Sequence, residues 1–291
     1  MWHFGDLSWS QLMQSLWTQF RKDRVLDQAA MLSFYLLLAT FPLLLSLISL
    51  LGMLLQSDQS IQRAIQDYLS RIAPASASSL VESVLDQISK GSNGSTLSLG
   101  IFFSLWVASS GMTALINALN VAYEVKEARP WWKKRLVAMA LTLGTVFFMG
   151  GALVLLGYGR RIGKSLANQW HLGTTLFSTA WTLLEWVLLL GFLLTAFNLL
   201  YLFAPNVKRR QWHWLMPGTV LGVTLWLAFS YAFKTYLSFF NRYNTTYGSI
   251  AAVIILLLWF YFSGIALLLG AELNSILEKN TRRVQTGEGT T

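Results

Sequence analysis

Residues 253–270 read VIILLLWFYFSGIALLLG, and no charged residue interrupts the 29 residues from Tyr243 to Ala271. An α-helix rises 1.5 Å per residue, so this stretch is long enough to cross the ~30 Å hydrocarbon core of a bilayer. Five further runs are comparably apolar, and within them only Glu185 carries a charge. The sequence therefore predicts an all-α, polytopic membrane protein with six transmembrane helices. The predicted spans are residues 28–56, 96–124, 134–158, 176–203, 213–240 and 246–276.

The composition excludes other classes of protein. Hydrophobic residues make up 54% of the 291 residues, charged residues only 12%, and the mean hydropathy is +0.49. A soluble domain carries about 25% charged residues, and a chain of this size could not cover its surface with half of that. Disorder is excluded because the apolar content is too high. The chain has no Cys, which removes disulfides, thiolate metal sites and Cys nucleophiles from consideration.

The charge distribution predicts the orientation in the membrane. Lys and Arg number 22 against 13 Asp and Glu, a net charge of +9. If the N-terminus is cytoplasmic, the inner segments carry 14 of these bases and the outer segments eight. Short basic loops stay on the cytoplasmic side, so both termini are expected in the cytoplasm. The basic balance is then a sign of topology, and we expect no nucleic-acid partner.

Three segments flank or connect the spans of the predicted membrane domain, residues 25–278. Residues 1–24 form an amphipathic cytoplasmic segment with apolar residues at helical spacing, which lies either on the membrane surface or against the protein's own cytoplasmic face. The outer loop, residues 57–95, carries two apolar stripes that predict two short amphipathic helices. Residues 279–291 are expected to be a flexible cytoplasmic tail. The apolar residues of the first segment are Trp9, Leu12, Met13, Leu16, Trp17 and Phe20.

Charged and polar residues inside the predicted spans fall into two layers when the helical rise converts position to depth. The outer layer contains Glu185, Lys234 and Arg242. The two bases would bind an anionic headgroup, with Glu185 as counter-ion or proton-linked switch. A structural ion pair between Glu185 and Lys234, or snorkelling of the two bases, is the alternative. The inner layer is a second hypothetical functional site. Its alternative explanation is that the acids pair with nearby basic residues and the amides join helices. Its members are Asp27, Asn117, Asn120, Glu124 and Glu272.

Two backbone features bear on how the helices pack. Pro42 lies near the middle of the first span, where its missing N–H should kink the helix. Broken helices often line transport sites, although a kink that only improves packing explains the residue equally well. Gly218 and Gly222 form a GxxxG motif, which predicts a close approach between helices.

Four segments of the chain are distinctive when taken together. They are DQAAMLSFYLLLATFPLLL (27–45), LINALNVAYEVKEARPWWKKR (115–135), KTYLSFFNRY (234–243) and the stretch from Tyr247 to Asn274 that ends in GAELN. Together they resemble the YihY/BrkB-like family of bacterial inner-membrane proteins, and the resemblance covers roughly residues 20–280. It implies six helices and a multi-pass location in the inner membrane, but it carries over no catalytic residue. The family has long carried the label ribonuclease BN, and its members have been linked to serum resistance and to lipid or solute export.

The residues give no support to a nuclease. A ribonuclease needs phosphate-binding bases together with a metal-carboxylate cluster or a His pair. The three histidines, His3, His171 and His213, lie in three different segments, and no HxH, HxxE or DxD pair occurs. We therefore expect no ribonuclease or other enzymatic activity, no metal and no cofactor.

Two functions fit the sequence. The first is a transporter or flippase-like conduit for a lipidic or amphiphilic, anionic substrate, with membrane lipids as partners. The alternative is a non-transporting membrane scaffold or envelope-assembly factor, in which the polar layers are structural ion pairs. An ion channel is third, because no carbonyl-filter motif or ring of like charges is present. Small-residue motifs serve contacts within and between chains alike, so homo-oligomerisation does not follow from the sequence.

Overall fold

The computed structural model describes residues 8–55, 94–169, 174–207, 216–239 and 243–286. Within these ranges all regular structure is helical, which confirms the all-α class of the polytopic membrane protein. The predicted outer loop at 57–95 lies almost wholly outside the described residues. The helices are α1 (Trp9–Lys22), α2 (Val25–Leu55), α3 (Gly94–Ala122), α4 (Trp131–Gln169), α5 (Thr174–Phe203), α6 (Pro217–Phe239) and α7 (Tyr243–Thr286).

Five of these helices contain a stretch that is long and apolar enough to cross a membrane. α2 has 31 residues, but its described apolar stretch, Val25–Thr40, is shorter than a crossing requires. The membrane class is thus confirmed, while the count of six spans stays a prediction. The five stretches are Leu105–Ala122, Trp131–Leu156, Thr179–Phe203, Pro217–Leu237 and Val253–Thr281.

Helix α1 packs against the C-terminal part of α7. Leu12 is buried against Ile276 and Leu277, and Leu16 joins the same cluster. This contact supports the interpretation in which the first segment lies on the protein itself. An outward stripe remains free of that contact, because side chains four residues apart share a helix face. The stripe consists of Trp9, Met13 and Trp17, all of them exposed.

The contact with α1 coincides with an unexpectedly long α7. The helix continues to Thr286, so residues 279–286, which the sequence analysis assigned to a flexible tail, are helical. Ile276 and Leu277 bury apolar surface against α1, and Lys279 forms an ion pair one turn further along. These tertiary contacts stabilise a segment whose polar composition alone resembles a tail.

The chain divides into two compact units, one formed by Met1–Phe34 and Met112–Thr291 and the other by Tyr35–Gly111. In the second unit α2 approaches α3 closely, since a Cβ placed on Gly111 would lie 3.0 Å from the Cβ of Ala39. α2 is helical on both sides of Pro42. The kink at that residue stays a prediction.

In the first unit α6 and α7 are the most closely packed helices. A Cβ on Gly218 would overlap the carbonyl oxygen of Gly270, and a Cβ on Gly222 would lie 2.6 Å from the Tyr201 hydroxyl. That hydroxyl donates to the carbonyl of Leu267 at 2.8 Å, which ties α5 to the same interface. The close approach predicted from the GxxxG motif is confirmed.

Candidate functional site

An ion-pair cluster joins α1, the end of α3 and α7 around Glu124. Glu124 accepts hydrogen bonds from Lys22 at 2.5 Å, Lys279 at 2.8 Å and Gln19 at 3.0 Å. Its backbone has φ 50°, the left-handed conformation that ends α3 and turns the chain. The three donors, Lys22 first, lower the pKa of the Glu124 carboxyl to about 2. This carboxylate therefore stays ionised and fixes three helices to one another.

A second polar network ties the loop after α3 to the end of α5. Asn120 is buried, donates to Glu127 at 2.9 Å and accepts from the backbone N–H of Asn206 at 2.8 Å. Arg129 donates to Glu127 at 2.8 Å and to the carbonyl of Ala204 at 2.7 Å. The bonds from Arg129 are the main reason why the pKa of Glu127 falls to about 2. Every charge in this network has a partner.

Glu272 is the exception at this end of the molecule. It is fully buried in α7, and neither carboxyl oxygen has a hydrogen-bond donor among the described residues. Its neighbour is the carboxyl group of Asp23, in the turn between α1 and α2, which interacts with it electrostatically. Two neighbouring carboxylates repel each other, and a proton on one of them relieves that repulsion. The pair is therefore built to hold a proton.

The surroundings of Asp23 favour its protonated form. Burial raises the pKa of the Asp23 carboxyl, and the negative charge of Glu124 raises it further. Its Oδ2 atom is buried, and none of the residues that the structure describes hydrogen-bonds to it. One helical turn after Glu272, the buried hydroxyl of Ser275 also has no partner among the described residues. Several polar atoms are thus left unsatisfied close to the carboxyl pair.

A polar groove of about 610 Å³ between α1 and α7 opens beside the ion-pair cluster. Lys22, Glu124 and Lys279 form part of its wall, together with the amides Gln14, Gln19 and Asn280 and the hydroxyl of Thr18. A polar space of this size holds water, since several partners are available to each molecule. Water in the groove can therefore reach the cluster that adjoins the Asp23–Glu272 pair.

The inner layer predicted from the sequence divides into three groups. Glu124 and Glu272 come together, as described, and Asn120 belongs to the neighbouring network. Asp27 is exposed and pairs with Arg24 at 2.5 Å, a nearby basic residue of the kind that the alternative interpretation invokes. Asn117 is also exposed and accepts a hydrogen bond from Lys134. The last two residues are surface contacts.

The outer layer is not assembled in the described part of the chain. Glu185 lies on α5 and is buried against Gly159 of α4. A Cβ placed on Gly159 would lie 2.9 Å from the carboxyl carbon of Glu185. Lys234 is exposed on α6, and among the described residues no ion pair joins it to Glu185. Arg242 lies outside the described residues. A headgroup site formed by these three residues remains a hypothesis.

Asp23, Glu127 and Lys279 were not among the site residues predicted from the sequence. Asp23 stands between basic residues in the run RKDR at 21–24, at the end of the predicted amphipathic segment. An acid within a basic flank, directly before a span, is a signal that could have identified it. Glu127 and Arg129 lie two residues apart in a short loop, a spacing that carries no distinctive pattern.

The described residues contain no group of three or more His, Asp or Glu side chains that could hold a metal ion. The three histidines named above lie outside the described ranges. The site is thus composed of carboxyl, amide, hydroxyl and ammonium groups.

Comparisons with known proteins place the chain among membrane proteins. A family model described as Virulence factor BrkB matches residues 16–290. A ribonuclease-like protein of Bacillus subtilis (strain 168), YfkH, is 38% identical over 93% of this chain and 96% of its own length. UPF0761 membrane proteins of Aliivibrio fischeri and Aeromonas salmonicida are 30% and 27% identical over 94% and 91% of this chain, and over 85% and 88% of their own. No solved structure matches.

Proposed function

Because the chain belongs to the Virulence factor BrkB family and is a membrane protein, we propose that it is a proton-linked transporter or flippase-like conduit for a lipidic or amphiphilic, anionic substrate. The observation that carries the proposal is the buried carboxyl group of Glu272, which lies in a candidate span next to Asp23 and has no hydrogen-bond donor in the part of the chain that the structure describes.

The energetics of burial favour a functional role for this carboxyl. An unpaired charge in a membrane span costs several kcal/mol, so acids at such positions mark proton relays or substrate pathways. A structural acid would gain stability from donors, as Glu124 does from Lys22 and Lys279. Glu272 has the cost of burial without that compensation. A site that takes up and releases a proton explains why an acid is kept there.

The charged neighbours give the pair a route to water. Asp23 faces Glu272 from the turn after α1, while Glu124, Lys22 and Lys279 surround the two acids from α1, α3 and α7. The polar groove between α1 and α7 is lined by three of these neighbours. We infer that the proton exchanges through this groove, on the side that the positive-inside rule assigns to the cytoplasm.

The substrate class rests on the apolar surfaces between helices. A groove of about 360 Å³ between α6 and α7 is lined by aromatic and aliphatic side chains, among them Phe229, Phe233, Tyr236 and Phe262. A second apolar groove lies between α4 and α5. Open apolar grooves on membrane helices fit alkyl chains better than sugars or inorganic ions. The excess of basic residues favours an anionic headgroup.

The alternative, a non-transporting scaffold, also has an observation in its favour. Glycine contacts lock α6 against α7, and the satisfied networks of Glu124 and Glu127 resemble structural ties. A scaffold would need no proton exchange at Glu272. The two functions therefore differ in what happens when this carboxyl is neutralised.

The test uses the full-length protein in liposomes that contain a trace of fluorescent, headgroup-labelled phosphatidylglycerol. Chemical bleaching of the label in the outer leaflet reports how fast the labelled lipid crosses the bilayer. The rate is measured with and without a pH gradient. We expect a gradient-dependent rate for the wild type and for Asp27→Asn, which removes an exposed acid at the same end. Glu272→Gln should lose the gradient dependence. An unchanged gradient dependence in Glu272→Gln would contradict the role of this carboxyl, and no crossing by the wild type would argue for the scaffold.

A further inference from the structure

We propose that the groove between the first half of α4 and the end of α5 binds one acyl chain of an anionic phospholipid, whose headgroup lies against Lys133 and Lys134. This inference goes beyond the proposed function, because such a lipid would occupy the groove whether or not it is transported.

The groove has the length of one leaflet. It encloses about 290 Å³, and its wall on α4 runs from Val137 through Leu141 to Phe148. The eleven helical steps from Val137 to Phe148 span about 16 Å, which is about half of the ~30 Å hydrocarbon core. The facing wall on α5 ends at Phe203, the last residue of that helix. The groove therefore extends from the membrane interface to about the middle of the bilayer.

The interior of the groove is open and apolar. Gly144 lies in its wall, and a Cβ placed there would have no atom within 4 Å. At the deep end Phe148 contacts Phe192 edge to face, with ring centroids 6.1 Å apart. Apart from the aromatic Phe203, the other lining residues are aliphatic or small, so an alkyl chain would find apolar contacts along its whole length.

The shallow end of the groove carries positive charge. Lys134 precedes Val137 by three residues and Leu141 by seven, so it lies on the face of α4 that lines the groove. Lys133 precedes Val137 by four residues and is exposed. None of the described residues forms an ion pair with Lys133, and the bond from Lys134 goes to the neutral amide oxygen of Asn117. Both positive charges are therefore available to a phosphate.

Neighbouring residues fit the same interface. Trp131 and Trp132 are 70% and 58% exposed at the start of α4, where amphipathic rings anchor helices at the headgroup level. Arg129 is already neutralised by Glu127 and donates to the carbonyl of Ala204. The choice between anionic and neutral headgroups thus depends on the two lysines.

The first experiment measures headgroup selection. Full-length protein in detergent is given equal amounts of phosphatidylglycerol and phosphatidylcholine, and native mass spectrometry counts the lipids retained. We expect preferential retention of one phosphatidylglycerol. Lys133→Gln and Lys134→Gln should each weaken that retention about fivefold, the value expected for one lysine near a charged headgroup. Lys126→Gln, an exposed base at the same end outside the groove, should leave it unchanged.

The second experiment fills the groove. Gly144→Leu should abolish retention of the phosphatidylglycerol, whereas Gly150→Leu, at a position on α4 that also has open space, should retain it. Equal retention by both glycine variants, or equal retention of the two lipids by the wild type, would overturn the proposal. Binding is measured without a gradient, and Glu272→Gln should bind as the wild type does. A failure here is therefore distinguishable from a failure of proton-linked transport.

Discussion

Glu124 and Glu272 lie at the same end of the molecule, yet their environments are opposite. Glu124 is about one-third exposed and accepts three hydrogen bonds, two of them from lysines. Glu272 is fully buried, and its oxygens have no donor among the described residues. The first acid stabilises the contact of α1 with α3 and α7 as an ion. The second has no hydrogen-bond donor among the described residues to stabilise its ionised form, and this difference separates a structural acid from one that is suited to exchange a proton.

Reversing the charge of the structural acid should have the largest effect on stability. Glu124→Lys would place a third cation beside Lys22 and Lys279 and remove their acceptor. We expect the free energy of unfolding to fall by about 2–4 kcal/mol, the range for breaking a buried or partly buried charge network. Denaturation of the detergent-solubilised protein measures this fall. Lys126→Glu is the control, because it changes the net charge by the same amount in the opposite direction. A wild-type unfolding curve for Glu124→Lys would show that the network is not structural.

Lowering the pH should have a smaller effect on the free energy of unfolding, and the sign of that effect follows from the pKa values. The pKa values of Glu124 and Glu127 are about 2 in the folded state against 4.5 ordinarily. Their stabilisation is therefore complete above about pH 4.5 and is lost as the pH falls through about 2. Asp23 acts in the opposite direction, because its pKa is raised and its contribution is lost as the pH rises.

After solvent screening we expect each of the two glutamates to account for about 1 kcal/mol. Stability measured between pH 6 and pH 3 should therefore fall less in Glu124→Gln and Glu127→Gln than in the wild type. The same acid-induced loss in all three proteins would contradict the assignment of these carboxylates as structural ions.

The exposed acid should have the smallest effect. Asp27 pairs only with Arg24, and both side chains are more than half exposed. Asp27→Asn should change the free energy of unfolding by less than about 0.5 kcal/mol. Chemical denaturation side by side with Glu124→Gln checks this. A loss as large as that of Glu124→Gln would mean that exposure does not separate the two acids.

The sequence alone located much of the fold, because span length and apolar content suffice to find α3 to α7. The depth of a residue also follows from the helical rise, so Glu124 and Glu272 were expected in one layer. The direction in which a side chain points does not follow from depth. Asp27 and Asn117 share that layer but face outward, and Glu185 packs on α4 without contacting Lys234.

Other features depend on contacts between distant segments. α7 continues through 279–286 because α1 packs against it, a contact that joins the two ends of the chain. Asp23 meets Glu272 for the same reason, since the turn after α1 is brought to α7. Local composition predicts a flexible tail for residues 279–286 and the end of an amphipathic segment for Asp23. Tertiary contacts, and not local composition, make residues 279–286 helical and bring Asp23 into the site.

The most direct test of the account is proton uptake in liposomes that carry a pH-sensitive dye. With phosphatidylglycerol present and a pH gradient imposed, the wild type and Asp27→Asn should move protons, and Glu272→Gln should not. Glu272→Gln should also keep, or slightly exceed, wild-type stability, because the amide removes a buried ionisable group without leaving a vacancy. Proton movement by Glu272→Gln at the wild-type rate would contradict the central claim.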